Sequence, residues 1–384
     1  MKSLASLLIG SVLLCSCVKK NEVTVSVQNT ADFERQEMVE VAWSLIENNL
    51  KMGETQQIVV LDEQGQQVPY QLVTYGEKKP KLLIFPASFD AKQKLAFKVT
   101  TGEPEKFEDQ VKATFVPQRK DDMSWENDRA AFRMYGPALE VDSIEHLISG
   151  GIDIWVKKTP KLVTQRWYKE DLAKIRSYHE DHGEGLDFFS VGTSLGAGAA
   201  APFYQDTLYA ISHNFTSYEI LDNGPLRTVF RLTYEPYQIM EGITVNETRT
   251  ISLDAGSNLN KIVEDYGTLP HEIQIAAGFP YYNNDTYVLN AGDGYISYAQ
   301  PENPEHGIIY LGMVSDVSLV GTKILGNELL GLMNYQPSYS SAKGLTYYSG
   351  GGWNQGGFPT FQDWTKYVSD FAKGIRNPLL VSVN

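Results

Sequence analysis

Polar side chains crowd most densely at Tyr178-His179-Glu180-Asp181-His182-Gly183-Glu184-Gly185-Leu186-Asp187, a run with two of the six histidines and four carboxylates. Histidine changes charge near neutrality, and adjacent carboxylates tune its basicity. His179 and His182 are therefore acid/base candidates, with Glu184 and Asp187 as the carboxylates of a glycosidase-like pair. His179, His182, Glu184 and Asp187 could alternatively hold a divalent metal, but the His-x-x-His spacing offers no recognisable third ligand. A solvated acidic loop is the plain alternative. Just upstream, Gln165-Arg166-Trp167-Tyr168 sets a cationic fork beside two aromatic faces. Arg166 suits the carboxylate of an acidic sugar and Trp167 suits its ring, while Tyr168 could position the ring or move a proton.

Weaker constellations follow. Gly192-Thr193-Ser194-Leu195-Gly196 matches the nucleophile-elbow pattern, but Ala197-Gly198-Ala199-Ala200-Ala201-Pro202 offers no helix after it, so a tight small-residue loop is the better reading. Along Ile243–Leu253, Glu247 and Arg249 share a side with Ile243, Val245, Ile251 and Leu253. That is either a ligand surface with a charged centre or an internal salt bridge. His213 and His271 could reach such a surface. Tyr281, Tyr282, Tyr335, Tyr339, Tyr347, Tyr348 and Trp353 fall in segments rich in Gly, Asn, Ser and Pro. Trp353, in Gly350-Gly351-Gly352-Trp353-Asn354-Gln355-Gly356-Gly357, reads as an indole on a flexible loop able to stack on a sugar face.

The elements that must position these residues are almost all strands. Val23–Val99 shows short alternating runs and no helical period, which predicts a small β-sandwich over 17–100. Residues 101–124 are polar and read as a linker. From 125 to 384, extended runs at Ile152–Val156, Tyr209–His213, Leu226–Tyr234, Ile243–Leu253, Leu259–Tyr266, Ile308–Val314 and Leu329–Asn334 predict a second, larger sandwich. One helix stands out: Thr360 can cap it with Asp363, and Trp364, Val368, Phe371 and Ile375 share a face. Asn377-Pro378 ends it, and Leu379–Val383 reads as a last strand returning to the large sheet. The fold class is thus all-β with a C-terminal helix.

The 384 residues carry 47 acidic against 33 basic side chains, a net charge of −14, which argues against a nucleic-acid partner. Met1-Lys2 and the apolar Leu4–Leu14 read as a signal peptide over 1–16. Leu14-Cys15-Ser16-Cys17 resembles the lipobox of bacterial lipoproteins, which makes Cys17 the lipid anchor and leaves no second thiol for a disulfide. Val18-Lys19-Lys20-Asn21, without Asp at its second position, favours the outer membrane facing the periplasm, with membrane contact through the anchor alone.

Together the lipobox, Gln67-Val68-Pro69-Tyr70-Gln71, Gly150-Gly151-Ile152-Asp153-Ile154-Trp155, Tyr178–Asp187 and Gly192–Gly198 resemble an uncharacterised family of Bacteroidetes lipoproteins associated with the breakdown of pectin and other uronate polysaccharides. The resemblance implies a galactose-mutarotase-like super-sandwich for residues 125–384, a scaffold that hosts several reactions. The expected function is processing of acidic oligosaccharides from plant or algal polysaccharides, as lyase or glycoside hydrolase, with no obligatory cofactor. A mutarotase or epimerase, and a non-catalytic glycan-binding lipoprotein, are the alternatives.

Overall fold

The computed structural model describes residues 21–50, 56–240, 242–269, 273–284, 286–316, 319–335 and 344–384. Cys17, His271 and Tyr339 lie outside the described residues, as does the signal segment. The described residues are mostly strand, as the alternating runs predict, and divide between a small and a large sandwich.

In the small one, Val23, Val25 and Val27 turn inward from Glu22–Gln28, which pairs with Lys94–Thr101. The facing sheet joins Arg35–Ala42, Leu82–Phe89 and Gln71–Val73, and Phe85 meets Phe97 across the core at 4.7 Å between ring centroids. A short helix, α1 (Trp43–Asn49), caps this core with Trp43 and Ile46. It was not expected, because two turns give too few residues for a helical period to show. The last strand, Leu380–Val383, does not return to the large sheet. It pairs antiparallel with Glu22–Gln28 and completes the small sandwich. Gln71 welds the two sandwiches: its side chain donates to Arg227 O at 2.9 Å and accepts from the backbone N–H groups of Leu226 and Arg227.

The large sandwich has a five-stranded sheet around Ile273–Pro280 and an eight-stranded sheet around Leu259–Asp265, with one core shared between them. Two expectations fail here. Tyr209–His213 is loop, and Gly350-Gly351-Gly352-Trp353 is not, since it ends the strand Leu345–Trp353 with Trp353 buried. The glycines are there for closeness: a Cβ on Gly352 would lie 2.6 Å from Phe358 and 3.0 Å from Trp364, which packs from the C-terminal helix. That helix spans Phe361–Arg376, and the Thr360/Asp363 capping box forms as predicted.

The segment expected as linker is folded from residue 111. Val111–Val116 and Asp122–Asn127 pair with one another, followed by Ala130–Met134, Asp153–Lys157 and Gly185–Leu186, in a third sheet. Its Met123, Trp125, Phe132 and Ile154 join the main core. By strand alternation its other face carries Asp122, Ser124, Glu126, Arg133, Asp153, Trp155 and Lys157, all buried. Two further helices precede the C-terminal one, which is therefore α4: α2 (Pro137–Glu140), and α3 (Thr164–Leu172), which covers that face.

Candidate active site

Six buried polar side chains on a sheet face require partners, and they divide into two sets. At one end, Glu126 is saturated: its oxygens accept from Lys157 Nζ and from the backbone N–H groups of Val163 and Thr164, at 2.7–2.9 Å. That carboxylate anchors α3. At the other end, Arg133 donates to Asp153 Oδ2 through Nε at 2.9 Å and Nη2 at 2.5 Å. Nη2 also reaches Asp187 Oδ2 at 3.2 Å, and Nη1 lies 3.7 Å from Asp122 Oδ2. Each aspartate keeps one buried oxygen, Oδ1, without a hydrogen-bond partner, and the Ser124 hydroxyl beside them has none either. Orphaned buried carboxylate oxygens are costly, so this end of the face holds more negative charge than folding requires.

Electrostatics reflects that excess. Burial pushes Asp122 up to about 6, against the pull of Arg133 and Arg119. Asp187 is held well above the usual carboxylate range by burial and by the charge of Asp153, while Asp153 is raised mainly by burial. Aromatic rings roof the cluster: Trp155 stacks on Tyr178 at 4.6 Å, and Tyr135 lies 5.1 Å from the Arg133 guanidinium carbon.

His179 sits at the mouth, 57% exposed at its side chain. Its Nδ1 lies 3.0 Å from the carbonyl oxygen of Asp187 and 3.6 Å from that residue's Oδ2. A carbonyl only accepts, so Nδ1 carries the proton and Nε2 keeps a free lone pair. The arrangement is an imidazole oriented by the backbone carbonyl of Asp187, whose buried carboxylate lies 3.6 Å away and is itself tied to Arg133.

Of the residues picked out in the sequence, His179, Asp187 and Tyr168 meet here. Tyr168 is buried and donates to Asp122 Oδ2 at 3.2 Å, so it supports the cluster and has no access to a ligand of its own. Trp167 is likewise buried, stacked 6.0 Å from Trp155. His182, Glu184, Arg166 and Trp167 line a neighbouring surface cleft, which Tyr178 also lines. There Arg166 is bound to Glu184 at 2.5 Å and lies 3.5 Å from Glu170, which occupies the fork expected to take a sugar carboxylate. His182 faces Ser177 O and Glu180. His179, His182, Glu184 and Asp187 thus have four separate commitments and form no metal cluster among the described residues.

The surface readings of Glu247, Arg249 and Trp353 do not hold. Arg249 lies fully buried between Glu247 at 3.0 Å and Glu264 at 2.6 Å, and donates to the carbonyls of Gly150 and Ala200. Burial pushes Glu264 up to about 8. The Trp353 indole donates to His306 O at 2.6 Å. Tyr281, Tyr335 and Tyr347 are also buried, leaving Tyr282 as an exposed ring from that group. Ser194 closes a turn, donating to Val191 O and accepting from Gly196 N–H, as a loop would and an elbow would not. His213 pairs with Glu140 away from the sheet face.

The residues missed were Arg133, Asp122, Asp153, Arg119 and Tyr135, while Tyr178 headed the polar run without being given a role. For Asp122 the sequence signal was the strict alternation of Asp122-Met123-Ser124-Trp125-Glu126, which straddles the end of the segment read as a linker, 101–124.

Comparison with known proteins places this geometry in a family. Residues 27–381 match a family described as a domain of unknown function (DUF4861). The chain belongs to the DUF4861 family. The match runs through both sandwiches and includes every residue of the Arg133 cluster. A relative, "Uncharacterized protein P7" of Formosa agariphila, is 34% identical over 278 residues, covering 70% of this chain and 69% of that one. Among solved structures, an α-mannosidase from Enterococcus faecalis superposes with a TM-score of 0.52 at 10% identity, over 95% of this chain and 46% of that one. A glycosyl hydrolase family 38 protein from the same organism gives 0.51 at 11%, over 96% and 48%. The chain spans about half the length of these structures, and at such identity the likeness is one of fold.

Proposed function

We propose that this DUF4861 protein is a carbohydrate-processing enzyme in which His179 is the acid/base group, acting on uronate-containing oligosaccharides by elimination. The observation that carries the reading is the placement of His179 beside the Arg133 cluster, with Nδ1 committed to the Asp187 carbonyl oxygen and Nε2 left at an exposed mouth. The sandwich likeness to mannosidase and family 38 structures supports a carbohydrate substrate. Elimination requires a base at the carbon alpha to the uronate carboxylate and a cation to lower that carbon's acidity barrier. His179 Nε2 takes the alpha proton, the electron pair forms the C=C bond, the beta C–O bond breaks, and the imidazolium returns the proton to the leaving oxygen. Hydrolysis by paired carboxylates fits less well, because Asp122, Asp153 and Asp187 are buried and Glu184 is salt-bridged. The cation nearest His179 at the mouth is Arg119, whose Nε donates to the Tyr178 hydroxyl at 3.2 Å, the Tyr178 ring lying 4.4 Å from that of His179. In the same reading Cys17 carries the lipid that holds the protein at the outer membrane, facing the periplasm, a proposal that rests on the lipobox-like sequence.

The test is incubation with uronate oligosaccharides, followed both by ultraviolet absorbance of the new C=C bond and by release of reducing ends. Elimination raises both signals, whereas hydrolysis raises reducing ends alone. His179→Ala should lower turnover by about 10²-fold or more, the usual scale of one acid/base group, while His182→Ala keeps it. Full turnover in His179→Ala would remove His179 from the chemistry.

A further inference from the structure

Two cations at the mouth of this site hold one exposed carboxylate that belongs to the protein itself. Glu145 Oε2 lies 3.1 Å from Arg119 Nη1 and 2.9 Å from Lys120 Nζ. The Glu145 side chain is half exposed, and the same Arg119 bonds Tyr178, whose ring lies 4.4 Å from that of His179. Lys120 and Asp121 both take positive φ, +56° and +65°, conformations that side-chain-bearing residues rarely adopt. This left-handed pair follows directly on Arg119 and turns the chain where the two cations converge.

Glu145 rides on the loop after α2. The apolar tips of that loop, Val141 and Ile144, are 83% and 89% exposed, so neither is packed down. Ionic contacts tie the loop in place: Asp142 to Lys120 at 3.1 Å, Glu145 to both cations, and Glu140 to His213. Exposed ion pairs contribute little in water and yield to a competing anion.

We infer that Arg119 and Lys120 are the receptor for the carboxylate of an acidic sugar, and that Glu145 occupies it in the free protein until the ligand displaces it. The inference rests on the reading of the site as one that acts on uronates. Displacement removes one of the loop's ionic ties and leaves those of Asp142 and Glu140, so the exposed Val141 and Ile144 stay beside the bound sugar.

The test is calorimetric titration of a uronate trisaccharide and its carboxyl-reduced counterpart into the wild type, Glu145→Gln and Lys120→Gln. Among the described residues the ion pairs of Lys120 are with Asp142 and Glu145, both on the loop, so its loss should leave the fold intact, which a thermal melt checks. Glu145→Gln should bind the uronate about five-fold more tightly and Lys120→Gln about five-fold more weakly, the scale of one exposed ion pair. Neither should alter binding of the reduced sugar. Unchanged or weaker uronate binding by Glu145→Gln overturns the inference, as does equal affinity for the two sugars or an unaffected Lys120→Gln. If Glu145→Gln behaves as expected while His179→Ala stays active, the receptor stands and the acid/base assignment fails. If His179→Ala is inactive while Glu145→Gln changes nothing, only the receptor fails. No uronate binding by any of the three proteins overturns both.

Discussion

A carboxylate that ionises late in the folded state makes stability depend on pH, and Asp122 is such a group, raised to about 6 by burial. The unfolded chain releases that proton near pH 4. Between the two values the folded state binds the extra proton, so the contribution is complete below about pH 4 and is lost as pH rises through about 6. Asp122→Asn keeps the shape without the charge. Its melting temperature should equal that of the wild type at pH 4 and exceed it at pH 7; a lower value at pH 7 would make ionised Asp122 a net stabilising partner of Arg133. At this scale the sequence was half legible. His179 and Asp187 announced themselves because they lie in one dense polar run. Arg133, Asp122 and Asp153 did not, because each comes from a different strand and looks like the solvent-facing half of an ordinary alternation. Nothing local says that α3 will cover that face and bury them.

Elements with a strong period were readable: the capped helix, Leu259–Asp265 and Glu328–Tyr335 lie where periodicity put them. The failures share one cause, packing against something distant in the chain. Three consecutive glycines look like loop until their neighbours are in place, Trp364 of helix α4 over Gly352 and adjoining backbone against Gly350 and Gly351. Gly350 is the tightest of the three, since a Cβ there would sit 2.2 Å from the Asn258 carbonyl oxygen, a backbone atom that cannot swing aside. Gly350→Ala should therefore destabilise by roughly 1–3 kcal/mol, the usual cost of overpacking, measured as a shift in the denaturation midpoint at unchanged slope. A neutral result would mean that Leu345–Trp353 and Leu259–Asp265 can part without loss. Polar content likewise hid Val111–Val116, whose partner strands supply the burial its own composition does not advertise.

For the whole molecule, two sandwiches were foreseeable from the strand count, but their wiring was not. The four residues Leu380–Val383 read as a strand from their composition, yet no local rule could have sent them back to Glu22–Gln28 rather than to the nearer sheet. The small sandwich is therefore discontinuous in sequence. Ending the chain at Asn377 should weaken it first: amide exchange in Glu22–Gln28 should rise well before that in Leu259–Asp265, whose ladder is untouched. Equal protection in both would mean that the last strand only decorates an edge.

That same pairing brings Thr24 and Asn384 into mutual backbone hydrogen bonds of 2.9 Å. The described chain is thus a ring open by a few residues. A short peptide joining Asn384 to Asn21 would close a loop as long as the fold itself, removing conformational freedom only from the unfolded state. New ends could then be cut at the exposed turn Gln205-Asp206, leaving both cores and the Arg133 cluster intact in a circularly permuted chain.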